Sequence, residues 1–546
     1  MKATKTLAIL LSLTLLLTAC GSTLSDPKQS DIPYLPDAPT VVTEAPTESD
    51  VTQILLSDDG ITVNGAAAGS DATAAVYTAN DIVYYESGKD FTYGEGDDYD
   101  AHSPEEAAAH TVVHITKAGT YSLSGQLSLG QVAVDLGDDA KEDPNAVVTL
   151  ILNGVDITCE VAPAVIFYNV YECGSDDAES ATKDVDTSAA GANVVIADGT
   201  ENYVTGSYVA RIYKPGSVVL SEDGTEVEDA KKLHKYDAAF YSKRTMNVFG
   251  GTENTGVLNI LAENEGLDSE LHLTINGGNI NIASGNDGIN TNEDGVSVTT
   301  INGGTLNILV TGETGEGDGI DSIGWLVING GTVMAQACAF SADSGIDSDM
   351  GIHINDGTVM ATGSMLDRIE DGGQNYVVFN FSEKQTGDEP ITMWDLDGNC
   401  IMEAVPENAY SILIFSSPDL EAGTYTLWSD YDQLAGTAGG MMGGFGGGRG
   451  PGGRGPGRGN RPSDTGQDDF TPPEGFEPPA GDFEDFEWSE GDFEDFEWSE
   501  DATPPEGFEP PQGGSRDNSS DSMDETSGNF VIIDGGNSFT VTYLYE

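Results

Sequence analysis

Apolar and polar residues alternate with a period of two in short runs along most of this chain, and glycines and small polar residues separate the runs. This pattern predicts strands. The most regular stretch reads INGGNINIAS, INGGTLNILV, INGGTVMAQA and INDGTVMATG, starting at Ile275, Ile301, Ile328 and Ile354, at intervals of 26, 27 and 26 residues. A second element keeps phase with the first: an acidic or small residue, then Gly, Leu or Ile, Asp or Asn, and Ser or Thr. Its copies run from Glu265 to Ser269, Asp287 to Thr291, Asp318 to Ser322 and Ser344 to Ser348. A period near 26 built from three short strands and glycine-rich corners, with no leucine scaffold and no helical spacing, is what one coil of a parallel β-helix requires. Stacked coils place equivalent residues in columns about 4.8 Å apart. Asn276, Asn302, Asn329 and Asn355 are then expected to form an asparagine ladder. Gly277, Gly303, Gly330 and Asp356, or the glycines after them, take the positive-φ turn.

The flanks follow the same alternation less strictly. HTVVHITKAGTYSLSGQL, QVAVDL, VVTLILNGVDITC, APAVIFYNV and NVVIADGTENYVTG read as wider coils before the repeat. After Asp371, NYVVFNFSEKQTG, ITMWDLDGNCIMEAVP, YSILIFSSPDL and GTYTLWSDY read as hairpins. They predict a small antiparallel β cap over the last coil, whose open edge would otherwise aggregate. From Ala435 the composition collapses into GGMMGGFGGGRGPGGRGPGRGNRP, followed by TPPEGFEPP at Thr471 and Thr503 enclosing GDFEDFEWSE at Gly481 and Gly491. Such a segment buries no core and is predicted to be disordered. Asn529 to Glu546 returns to a strand pattern. At the other end, Lys2 and Lys5 precede an apolar run from Leu7 to Leu17, too short to cross a bilayer as a mature helix and suited to export. It ends in Leu17-Thr18-Ala19-Cys20-Gly21, which resembles a bacterial lipobox and makes Cys20 the expected lipidation site. The predicted organisation is a lipoprotein signal peptide over 1–19, a tether over 20–75, the β-helix over 76–370, the cap over 371–434, the insertion over 435–528 and final cap strands over 529–546.

Charge narrows the partners. The 546 residues carry 93 acids against 21 Lys and Arg, a net of −72, which disfavours nucleic acid and invites cations. Residues 464–525 hold 22 of the acids against Arg516 alone, so most of the excess lies outside the insertion. The other cysteines are Cys159, Cys173, Cys338 and Cys400, with no C-x-x-C pair, which argues against thiolate metal sites. Export permits a Cys159 to Cys173 disulfide, and free thiols are the alternative.

TYSLSGQL, VTLILNGVDIT, DGTENYVTG and AAFYSKRTMNV, then the repeated DGI and INGG elements and IFSSPDLEAGTYTLW, occur in an order that resembles the secreted bacterial carbohydrate-binding proteins with a pectate-lyase-like β-helix, described from clostridia. The resemblance runs from about Ala101 to Asp430. It implies an all-β chain with a right-handed parallel β-helix, calcium binding, and binding of plant cell-wall polysaccharides such as cellulose and polygalacturonate.

The columns carry their own chemistry. Glu265, Asp287 and Asp318 form one acidic file, and Asp268, Asn290, Asp321 and Asp347 form another. Carboxylates about 5 Å apart repel by about 3 kcal/mol at an effective dielectric near 20. No Lys or Arg lies between Thr245 and Asp367. Either the carboxyl pKa values rise or a cation sits between coils. Carboxylate and amide oxygens suit Ca²⁺, with Asp343 and Asp349 adding ligands at one end. The alternative is solvated acids present for their turn propensity. A lyase needs a basic side chain near the calcium, and the repeat offers carboxylates only; a hydrolase could be written on Asp318 and Asp321. Paired acids in every coil are repetitive where active sites are unique, so the expected function is non-catalytic. The chain is expected to be a monomeric surface lipoprotein that binds polysaccharide through Ca²⁺, with Trp325 and Phe340 as stacking platforms and the membrane reached through the lipid on Cys20. A polysaccharide lyase or hydrolase and an adhesin with calcium-rigidified coils are the alternatives.

Overall fold

The period-two stretches form strands, and the computed structural model describes residues 51–312, 314–438 and 528–543. The export signal, Cys20, most of the tether, nearly all of the insertion with its Phe/Trp repeats, and the last three residues lie outside the described residues. The described chain is nearly all β; its α-helix is the five-residue Pro104–Ala108, closed by a capping box in which Ser103 and Glu106 satisfy each other's backbone amides.

Three parallel ladders run through the repeat. The first joins Met246–Gly250, His272–Ile275, Val298–Ile301, Trp325–Ile328 and Gly351–Ile354. The second joins Val257–Ala262, Asn279–Ser284, Thr305–Val310, Thr332–Gln336 and Thr358–Gly363. The third joins Val165–Asn169, Ala238–Ser242, Glu265–Ser269, Ile289–Thr291 and Ile320–Ser322, with a further bridge from Ile320 to Ile346. The irregular region before Met246 feeds the same ladders. Val148–Cys159, for example, pairs in parallel with both Ala192–Ile196 and Glu201–Gly206. Alternate residues of all three ladders, among them Ile275, Ile301 and Ile328, Ile282 and Ile308, and Leu267, Ile289 and Ile320, are buried in one shared cluster. Each such side chain contributes about 1.5–3 kcal/mol of burial.

The corners explain the glycines. Asn276, Asn302, Asn329 and Asn355 form the expected ladder, the last three each donating a side-chain amide to the carboxamide oxygen one repeat earlier, at 2.9, 3.0 and 2.8 Å. The positive φ falls on the second glycine: Gly278, Gly304, Gly331 and Gly357. The glycine of the acid-Gly-Ile element has a different cause. A Cβ on Gly288 would lie 2.1 Å from Ile308 Cγ2 and 2.6 Å from the Gly319 carbonyl oxygen, both in the packed interior. Gly288→Ala should therefore cost about 1–3 kcal/mol by overpacking; the measurement is the midpoint of urea unfolding, and an unchanged midpoint would show that the interior yields freely there.

Two boundaries differ from the sequence reading. Val51–Leu56 is a strand in parallel register with Gly119–Leu127, with Ile54 and Leu56 buried, so the tether does not extend to 75. One short apolar stretch after a long polar run gives little periodicity to read, yet two buried side chains are enough to add a strand to an existing edge. At the other end the strand Asp432–Ala438 runs past residue 435.

The C-terminal strands fold onto the last repeats. Tyr410–Ser416 pairs antiparallel with Thr358–Gly363 and occupies its free edge. The cap is mixed, because Tyr376–Gln385 runs parallel to Gly536–Tyr543 while its other pairings are antiparallel. Met334 and Met360 continue the register of Asn307 and are buried in the core of this cap. The change from Asn to Met marks where the outer face of the ladder becomes covered. All four described cysteines, Cys159 and Cys173 among them, are free thiols in the structure.

A buried acidic column

The third ladder carries the acids. Register places Tyr241, Asp268, Asn290 and Asp321 in one column, and the Asp347 amide donates to the Ile320 carbonyl at 2.7 Å, extending it. Asp268 is fully buried, Glu265, Asp287, Asn290 and Asp318 are nearly so, and Asp321 and Asp347 are half-buried. Strand alternation puts Leu267, Ile289 and Ile320 in the core and leaves their neighbours to carry the polar chemistry.

The column resolves into two clusters. Carboxylate oxygens of Asp237, Glu265 and Asp268 lie within 4.8 Å of one another, as do those of Asp318, Asp321 and Asp347. In the first, the Asn290 amide donates to Glu265 Oε1 at 3.1 Å and the Asn292 amide to Asp268 Oδ1 at 2.7 Å. The remaining oxygens, Glu265 Oε2, Asp268 Oδ2 and Asn290 Oδ1, are buried acceptors with no hydrogen-bond donor. Unsatisfied buried acceptors are costly. Three on adjacent side chains, all oxygen, match the donor set of a hard divalent cation. Asp287 and Asp343 belong to neither cluster. Asp287 Oδ1 accepts the Asp318 amide at 2.7 Å, Asp318 Oδ1 accepts the Ser344 amide at 2.6 Å, and Asp343 Oδ2 accepts the Gly317 amide at 2.6 Å. These carboxylates tie one repeat to the next.

Protonation follows burial. Burial, reinforced by the Asp237 carboxylate, pushes Glu265 up to about 8. Burial and the Glu265 charge hold Asp268 well above the carboxylate range; burial with Asp321 does the same for Asp287, and burial with Asp287 for Asp318. Asp347 is pushed up to about 7 by burial and by Asp367 and Asp349. A metal-free column is thus partly protonated at neutral pH.

Sequence reading missed three participants. Asp237 occupies in Asp237-Ala238-Ala239-Phe240-Tyr241-Ser242 the place that Asn264 takes before Glu265, and this spacing was the available signal. Asp367, whose carboxylate accepts the Ser348 amide at 3.0 Å, comes from the connection after the last repeat. Lys235 is the third, and it corrects the expectation that no basic residue reaches the acids: its ammonium lies 2.5 Å from Asp237 Oδ2. It arrives on the hairpin of Val209–Tyr213 and Lys232–Tyr236, outside the repeat. Burial alone would lower Lys235, but Asp237 and Glu265 outweigh it and hold the ammonium above its usual value.

The proposed platforms do not sit on the column. Trp325 opens a strand of the first ladder, half-buried, three residues past Ser322. Phe340 is 80% exposed in the connection that leads to Asp343. Asp349 is exposed at the rim beside Asp347. His272 is buried and accepts the Val298 amide at 3.1 Å, a structural contact, and burial lowers its pKa to about 4.

No curated protein matches the chain. Among solved structures, it is similar to one titled as the polysaccharide lyase-like protein from C. thermocellum, gadolinium derivative, at 18% identity and a TM-score of 0.31, with 56% of this chain and 88% of that chain covered. Residues 109–375, which contain most of the three ladders and the column up to Asp367, match the model of a family described as carbohydrate-binding domain-containing protein, and this bears out the family resemblance that the motif order carries.

Proposed function

We propose that this chain is a lipid-anchored, outward-facing bacterial protein that binds cell-wall polysaccharide through Ca²⁺ held by the acidic column, without catalysis. The three parallel ladders with their shared core are read as the faces of a parallel β-helix, right-handed as the family resemblance implies. Carbohydrate binding rests on the family that residues 109–375 match. The observation that carries the calcium reading is the set of three donorless buried oxygens on Glu265, Asp268 and Asn290. Glu265, Asp268, Asn290 and Asp237 would hold one ion, and Asp318, Asp321 and Asp347 another. Bound Ca²⁺ at the second cluster, where Asp321 and Asp347 are half-buried, supplies positive charge to which the carboxylate of an acidic sugar can bridge. Phe340, exposed in the connection that leads to Asp343, offers a ring for a sugar face.

The non-catalytic reading has a physical basis as well. A lyase base must be unprotonated to take up a proton, and Lys235, the amine beside the carboxylates, is held protonated by Asp237 and Glu265. The deciding experiment is a glycan array probed with and without chelator, paired with an assay for unsaturated products from polygalacturonate. Binding of acidic glycans that is lost in chelator, with no product released, is expected. Acidic-glycan binding indifferent to chelator would count against calcium, and release of unsaturated oligosaccharides would make the protein a lyase.

A further inference from the structure

A second place on the molecule has the chemistry of a sugar site and lies outside the acidic column. Two segments that belong to no repeat meet there. The Tyr213 amide donates to the Tyr93 carbonyl at 2.8 Å, and the Glu95 amide to the Arg211 carbonyl at 2.9 Å. Beside this junction opens a cavity of about 630 Å³, lined by Lys89, Thr92, Tyr93, Tyr213, Val218 and Leu220 among others. The volume falls in the range of small-molecule sites, roughly 300–1,000 Å³.

The character of the wall decides the ligand. Two phenol rings and aliphatic side chains face the cavity, and Leu220 is 41% exposed. Only two lining residues are charged, and both are engaged. Lys89 lies 2.9 Å from Glu86 and 5.4 Å from the centroid of the Tyr93 ring. The Asp90 carboxylate accepts the Thr92 amide at 3.0 Å and its hydroxyl at 2.6 Å. An acidic sugar entering here would bring a carboxylate to a wall with no uncompensated cation. A neutral pyranose brings hydroxyls for the polar groups and a C–H face for the rings and aliphatic carbons.

We propose that the Tyr93–Tyr213 cavity is a second saccharide site, independent of calcium, that takes a neutral pyranose unit of a polysaccharide. It rests on the polysaccharide-binding reading but not on the metal. Calorimetric titration of the full chain with cellohexaose in chelator, and with hexagalacturonate in calcium, tests it. Cellohexaose should bind in chelator, and Tyr93→Ala should weaken it about tenfold or more, the equivalent of losing roughly 1.4 kcal/mol of contact. Leu220→Asp, at an exposed position, should weaken it likewise without moving the thermal midpoint, and neither change should alter the hexagalacturonate titration. Cellohexaose binding that needs calcium, that survives both substitutions, or that is absent while hexagalacturonate still binds would overturn this site alone. Failure of both sugars to bind would overturn the polysaccharide reading itself.

Discussion

In chelator, the thermal midpoint of this protein should fall as pH is raised from about 4.5 to about 8, and calcium should abolish the fall. Glu265 and Asp347 carry folded-state pKa values of about 8 and about 7, above those of an unfolded carboxyl. A group with a raised folded pKa contributes stability that is complete below its unfolded pKa and is lost as pH climbs through the folded value. Asp268, Asp287 and Asp318 are shifted in the same direction and add to the effect. With Ca²⁺ bound, ionisation is the favourable state and the slope disappears. Ligand at about 100 times its dissociation constant adds about 2.7 kcal/mol, which for a protein of this size is on the order of 3 °C. Scanning calorimetry over that pH range, with and without calcium, is the measurement. A midpoint in chelator that rises with pH would contradict the burial of protonated carboxyls.

Phe379→Ala should destabilise the cap by about 3–5 kcal/mol, as deletion of a fully buried aromatic ring does. Its ring packs edge-on to Phe530 at 5.5 Å and stacks with Phe539 at 6.2 Å, and all three are buried. Phe530 and Phe539 lie on strands 529–532 and 536–543, beyond the acidic insertion, so the ring joins two parts of the chain far apart in sequence. Tyr376–Gln385 pairs both with Gly536–Tyr543 and with Tyr410–Ser416, and the latter covers the edge of Thr358–Gly363. Loss of the ring should therefore raise amide exchange in all four strands before it reaches Ile289 or Ile320. Uniform acceleration across the three ladders would mean that cap and ladders unfold as one unit.

Strand positions, the phase of the two repeated elements and the pairing of Asp268, Asn290 and Asp321 were legible because a side-chain period of two and a repeat near 26 leave little freedom of register. The asparagine ladder followed from the same arithmetic. The division of the column into two clusters was not legible, since it depends on which carboxylate oxygens the backbone claims, as the Asp318 and Ser344 amides do with Asp287 and Asp318. Lys235 escaped notice because it sits on a hairpin ahead of the strict repeat, where no second copy exposes its register, and Asp237 because the copy that aligns with it carries Asn264 in place of an acid. Trp325 looked like a neighbour of Ser322 and Asp321 in sequence, but the corner carries it onto a different ladder. Met334 and Met360, by contrast, were readable in hindsight. An apolar residue replacing Asn in an outward column announces a partner surface, here the cap.

The buried oxygens of Glu265, Asp268 and Asn290 are proposed to hold Ca²⁺. The most direct measurement is a calorimetric titration of Ca²⁺ into the metal-free full chain and into Glu265→Gln/Asp268→Asn. Saturable binding by the wild-type protein is expected, with protons released at neutral pH, and so is loss of that binding in a double variant that retains its strand content. Absence of saturable binding in the wild type, or an identical isotherm in the double variant, would contradict it.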